Sequence, residues 1–351
     1  MTTPLETALA QIGTDPKLRR RLIEECKVIE RTLKYQKDHS IRDEVTAPIV
    51  DALHQDVGIL RKVLSNGLIY EFHYRSKIAR EFVMSEPVTP DHVWEPQTTK
   101  LLVYLAATSR QALVGGAYFG DQVIPIAREL AGRGGVCHAF ELNADQAKML
   151  RRNAQLNRLD NIVVQEFGLW SNDETELGLS GDDSFAFPSV NQGTTYNSVS
   201  IDTYLKRQKV EQLDLIMLDI EGGELEVLRG AKEQLARPPG KAPCIVFEVH
   251  RSYVDWTNGL ENTEIVKLLA DNGYVIHAVR DFQANVDMHG QPIELVPLSS
   301  TYLEGPPHGF NLLATKRPEM LSDPLFKIVP GVSPKLLIHK SPELHHPTSG
   351  L

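Results

Sequence analysis

The sequence predicts an α/β protein built on a mostly parallel sheet, and three observations carry that expectation. From residue 111 onward, apolar runs of about six residues alternate with helical patterns, the rhythm of successive βαβ units. The first run opens into a glycine-rich turn, LVGGAYFGD at 113–121, with two adjacent glycines and a third four residues on. The fourth and fifth runs end in acidic residues, LDIEGGE and FEVH, at the sheet edge where α/β folds bind ligands.

The first 95 residues read differently. Asp15-Pro16 supplies a cap and a first-turn proline for a helix over 16–37, with Leu18, Leu22, Cys26, Ile29 and Leu33 on one face. A second amphipathic helix is predicted over 43–64, ending at Asn66-Gly67. LIYEFHYR, from 68, fits a short strand or a helix start, and Pro87 and Pro90 mark a loop. The region is expected to be a lid or a homodimerisation segment, because its apolar faces exceed what one helical pair can cover.

A helix then opens at Trp94-Glu95-Pro96. Strands are predicted at 111–116, 136–141, 161–167, 214–219, 244–249, 274–279 and 310–316, with helices beginning near Asp121, Asn143, Gly222 and Asn258. Asn143 and Gln146 have the spacing of a capping box. The domain is expected to span 96–317, and the Pro- and His-rich 318–351 to form a tail that wraps or frays.

Composition excludes several functions. A net charge of -9 argues against a nucleic-acid backbone binder. The three cysteines have neither metal-ligand nor redox spacing. The amino terminus lacks a signal-peptide pattern, and the longest apolar run is far short of a membrane span, so a cytoplasmic protein without a membrane partner is expected.

The chemistry sits in the turns. Gly116 and Gly120 allow either close approach of a nucleotide-like ligand or tight packing, and the dinucleotide pattern G-x-G-x-x-G is absent. Glu141, ending the second strand, suits a bidentate acceptor for ribose hydroxyls, or a helix cap. Asp219, Glu248 and His250 are expected on one rim, as a general base or a cation site, with structural satisfaction of helix amides as the alternative. The spacing lacks a strong metal motif, so the metal-free route is favoured over a divalent cation.

Taken together, VGGAYFGD, HAFELN, LRRNAQLNRLDNIVV, SIDTYL, DLIMLDIEGGELEVLRGA and IVFEVH resemble the FkbM family of S-adenosylmethionine-dependent methyltransferases over roughly residues 110–316. The resemblance implies a class I methyltransferase, Rossmann-like, with a seven-stranded sheet whose antiparallel strand is FNLLATK; here it carries an N-terminal helical extension. It implies O-methylation of a small-molecule hydroxyl acceptor such as a polyketide or sugar. It places Gly116, Ala117, Tyr118 and Gly120 in the cofactor loop, Glu141 and Leu142 at the ribose, and Gly168 and Leu169 beside the adenine. The sequence departs from the family turn at Val114 and Tyr118, so Asp121 or Glu95 is expected to take the cofactor's amino group, while Asp219, ending the fourth strand, is expected to point toward the ligand that Gly116 and Glu141 hold. The alternatives are a noncatalytic binding protein that kept the sheet and, less favoured, a nicotinamide-dependent dehydrogenase.

Overall fold

The computed structural model describes residues 3–33, 35–36, 39–55, 57–85, 93–180, 187–190, 195–303 and 309–336. All seven predicted strands form: β1 Gln111–Gly115, β2 Val136–Phe140, β3 Ile162–Gln165, β4 Leu215–Leu218, β5 Cys244–Val249, β6 Val275–Val279 and, after one further strand β7 Ile293–Pro297, β8 Phe310–Thr315. A short strand, β9 Phe326–Ile328, completes a nine-stranded sheet in the order β9-β7-β6-β8-β5-β4-β1-β2-β3. Strands β1 to β5 run parallel, and β8 is antiparallel to both β5 and β6.

The order reverses between β1 and β4. The chain leaves β1 for β2 on one side, and β4 returns on the other, so the turns after β1 and β4 part and open a crevice at the strands' carboxyl ends. Every residue of β4, β5 and β8 is buried, as continuous apolar runs covered on both faces require.

At the amino terminus, α1 Pro4–Gly13 begins in a capping box made by Thr3 and Glu6, and α2 Pro16–Leu33 begins at Asp15, whose carboxylate accepts from the Lys17 amide at 2.8 Å. Of the predicted apolar face of α2, Cys26 is buried and Leu22 packs with it, whereas Leu18 and Leu33 are exposed.

The predicted helix over 43–64 does not form as one element. A π-helical turn Arg42–Thr46 leads into α3 Ala47–Ala52, and Ile59–Val63 is instead a strand paired antiparallel with Ile69–His73. Asn66-Gly67 is a hairpin turn rather than a helix stop: Gly67 has φ +84°, and Asn66 Oδ1 accepts from the Leu68 amide at 3.0 Å. The apolar spacing that read as helical also fits β-branched Ile59 and Val63 alternating with Leu60 and Lys62, and the turn decides between them.

The hairpin docks on helix Ala144–Leu156. Asn153 accepts from the Glu71 amide at 2.7 Å and donates to the Glu71 carbonyl at 2.9 Å; Asn157 does the same at Ile69, at 2.9 and 2.7 Å. Two side-chain amides thus satisfy a strand edge that would otherwise lack partners. Tyr70 and Phe72, with Phe82 from helix Lys77–Met84, close an aromatic cluster on Phe119 just after the glycine turn.

Residues 318–336 wrap onto the sheet. Lys335–Leu336 pair with Asp281–Phe282, and the fully buried Arg280 donates to the Ser333 carbonyl at 3.0 Å while bridging Glu294 at 2.6 Å. The rest of the expected tail, 337–351, lies outside the described residues. Among the described residues no helix is long and apolar enough to cross a membrane.

Candidate active site

A cavity of about 840 Å³ opens at the β1/β4 reversal, within the range of small-molecule sites. Gly116, Tyr118, Asp121, Glu141, Leu142, Gly168, Leu169, Asp219, Glu248, His250 and Glu95 all line it. The structure does not bring Ala117 and Gly120 to its wall. Ala117 is buried in the core, and a Cβ on Gly120 would stand 2.5 Å from Leu150 Cδ1, so that glycine lets two helices pack.

Gly116 has φ +78°, and a Cβ there would stand 1.7 Å from the Asp219 carbonyl oxygen. The residue is glycine because the β1 and β4 turns touch backbone to backbone, while its cavity side remains open. Glu141 does both things considered for it: its oxygens accept from the Tyr118 amide at 2.7 Å and the Asn143 amide at 2.8 Å, fixing the turn, and it lines the cavity.

Val114 is buried within β1, and the Tyr118 hydroxyl is spent on Ser76 Oγ at 2.9 Å. Glu95 and Asp121 stand at the cavity instead. Glu95 precedes helix Pro96–Ala106 and receives Asn311 Nδ2 at 2.8 Å. Non-glycine residues at positive φ cluster here: Glu95 at 46°, Tyr118 at 45° and Glu221 at 56°, the concentration of backbone strain typical of ligand sites.

The electrostatics are lopsided. Six carboxylates line the cavity, and Lys77 is the one lysine or arginine doing so among the described residues. Burial, then the neighbouring Asp219, pushes Asp121 up to about 7; burial alone takes Asp219 to about 6; burial, then Asp219, takes Glu221 to about 8. Glu95 and Glu248 are held well above the usual carboxylate range for the same two reasons. Burial, then Lys335, lowers His250. Oxygens of Asp219, Glu221 and Glu248 lie within 4.8 Å of one another. His250 lines the same rim, with Nδ1 accepting from the Ser252 amide at 2.9 Å.

At the other end, Phe140 and Phe167 meet edge to face at 5.6 Å, and Leu142, Leu169 and Leu177 complete an apolar wall. Sequence reasoning missed Lys77, Trp94, Tyr253, Gln283 and Gly309, which reach the cavity from loops and from the N-terminal segment. Glu221 was visible in LDIEGGE but carried no periodic signal that aimed it inward.

A doubly wound sheet with an acidic crevice at its order reversal defines a Rossmann-like binding fold. Residues 115–276 match the family model Methyltransferase FkbM domain. Among curated proteins, none matches the sequence. Solved structures similar to it include an O-methyltransferase from Bacillus cereus in complex with SAH, at 17% identity, 65% of this chain and 84% of that chain, TM-score 0.36. Another is the methyltransferase FkbM from Methylobacillus flagellatus, at 14% identity, 68% and 52%, TM-score 0.34. A third is the O-methyltransferase TomG from Streptomyces achromogenes, in complex with SAM, at 14% identity, 68% and 86%, TM-score 0.36.

Proposed function

We propose that the protein transfers the methyl group of S-adenosylmethionine to a hydroxyl of a small molecule. The observation that supports this most is the excess of carboxylates around the cavity, two of them, Glu95 and Glu248, buried. A ligand carrying a sulfonium and an ammonium matches such a donor set, because opposite charge in a desolvated site relieves what burial makes costly. A dinucleotide, with its pyrophosphate, would meet repulsion there, which argues against a dehydrogenase.

The residues divide by position. Glu141 would hold the ribose hydroxyls, Phe140, Phe167, Leu169 and Leu177 the base, and Glu95, Asp121 and Asp219 the cationic end. The cofactor supplies an electrophilic methyl; the chain aligns the acceptor oxygen with it and removes the hydroxyl proton. His250 and Glu248 flank the acceptor side, and burial keeps His250 neutral near pH 7, the form a base needs. The cluster of Asp219, Glu221 and Glu248 has a spacing that a cation could bridge, and a chelator separates that route from the metal-free one.

Methyl transfer to a panel of hydroxyl-bearing small molecules, read by mass spectrometry, tests the reading. His250→Ala is expected to lower turnover about a hundred-fold with EDTA without effect. Loss of activity in EDTA, restored by Mg²⁺, would replace the base with a cation. Calorimetry that detects no S-adenosylmethionine binding would favour a noncatalytic role.

A further inference from the structure

We propose that Tyr253 is a positioning residue that fixes the Glu248 carboxylate as hydrogen-bond acceptor on the acceptor side of the cavity; this rests on the methyltransferase reading above. Tyr253 lies in the turn after β5, where its amide and that of Val254 both donate to the His250 carbonyl, at 3.2 and 2.9 Å. Its phenol donates to Glu248 Oε2 at 2.5 Å. The ring lies against Gly222, where a Cβ would stand 3.0 Å from Tyr253 Cγ. The second oxygen, Oε1, is backed by Gly309, where a Cβ would come within 1.7 Å of it. Gly222 thus backs the ring, while Tyr253 and Gly309 hold the two oxygens of a carboxylate that is only 7% exposed.

The surroundings explain why Glu248 needs this partner. Asp219 and Glu221 face it from the turn after β4, Glu95 from the start of its helix, Lys335 from the C-terminal segment, and Asn311 from the opposed position on β8. The acidic neighbours disfavour the ionised carboxylate, and the phenol O–H opposes them. Burial, then Glu248 itself, raises the phenol far above its ordinary range. Tyr253 thus keeps its proton and donates, and a phenolate is not part of the proton path. Tyr253 governs the orientation and basicity of Glu248 without touching the reacting atoms.

The full chain with carboxyl-¹³C-labelled glutamate provides the test, the Glu248 signal being the one lost in Glu248→Gln. Tyr253→Phe is expected to raise the Glu248 titration midpoint by about one pH unit, the loss of a hydrogen bond to a charged acceptor. The acidic limb of kcat/KM for methyl transfer should move upward with it, with KM for S-adenosylmethionine unchanged. In a Glu248→Gln background, Tyr253→Phe should have no further effect on kcat. Should the Phe variant melt early, Tyr253→Met, which also lacks the donor, must give the same shift. An unchanged midpoint overturns the proposal, as does additivity in the double variant. A shifted midpoint in a protein that methylates no hydroxyl acceptor supports the placement of Tyr253 and overturns the catalytic reading instead.

Discussion

Affinity for S-adenosylmethionine is expected to rise with pH between 6 and 7.5, with protons released on binding. The perturbation is pH itself, acting on carboxyls whose titration burial has moved toward neutrality: Asp219 at about 6, Asp121 at about 7 and Glu221 at about 8. At pH 6, Asp121 holds about nine-tenths of a proton and Asp219 about half of one; at pH 7.5 they hold about a quarter and almost none. A ligand whose sulfonium and ammonium need both carboxylates ionised must expel those protons, so each contributes up to a ten-fold change in Kd per pH unit below its midpoint. The total is about ten-fold or more between pH 6 and 7.5, levelling off as the ligand's own amino group deprotonates near 8. Linkage has the opposite sign for the free protein: a carboxyl raised in the folded state favours folding below its unfolded value near 4, and that contribution is lost as pH rises through 6 to 8. Calorimetry in buffers of differing ionisation enthalpy reads both Kd and proton release. Flat affinity, or proton uptake on binding, would refute the assignment of Asp121 and Asp219 to the cationic end of the ligand.

Gly116→Val should destabilise the protein first and abolish binding as a consequence, because its Cβ meets the Asp219 carbonyl at 1.7 Å on a backbone with φ +78°. A fall in thermal midpoint of about 10 °C or more is expected from several kcal/mol of clash and left-handed strain, and a normally stable variant would contradict the contact. Glu141→Ala should weaken S-adenosylmethionine binding about ten-fold or more and also lower stability, since the amides of Tyr118 and Asn143 lose their acceptor. Binding by calorimetry and melting by circular dichroism on the same sample separate the two losses.

The sheet was legible because burial on both faces writes itself as apolar runs: LIML in β4 and CIVFEV in β5 could be little else. β7 and β9 escaped because IELVP is closed by proline and FKI exposes two of its three residues, so neither alternates or runs long enough to signal a strand. The helix expected over 43–64 failed for the converse reason: spacing of three and four was present, but Asn66-Gly67 turns the chain so that 59–63 pairs with 69–73, a strand held in turn by Asn153 and Asn157, and periodicity cannot report such a partner.

The site was legible where topology alone places a residue. Any side chain at the carboxyl end of β1, β2, β4 or β5 must face the crevice, which is why Gly116, Glu141, Asp219 and Glu248 meet there. The glycine turn shows the limit of that rule. Gly116 and Gly120 are explained by the Asp219 backbone and by Leu150, both protein neighbours rather than a ligand. Missing side chains mark close approach without saying what approaches, and in this fold it is the next turn of the same sheet. The sign of the ligand is carried instead by groups that the chain buries at a cost, the carboxylates of Glu95, Asp121, Asp219, Glu221 and Glu248. A fold that keeps so many acids beside so little positive charge is poised for a cation, and that electrostatic demand ties the cavity to its proposed chemistry more closely than the turn does.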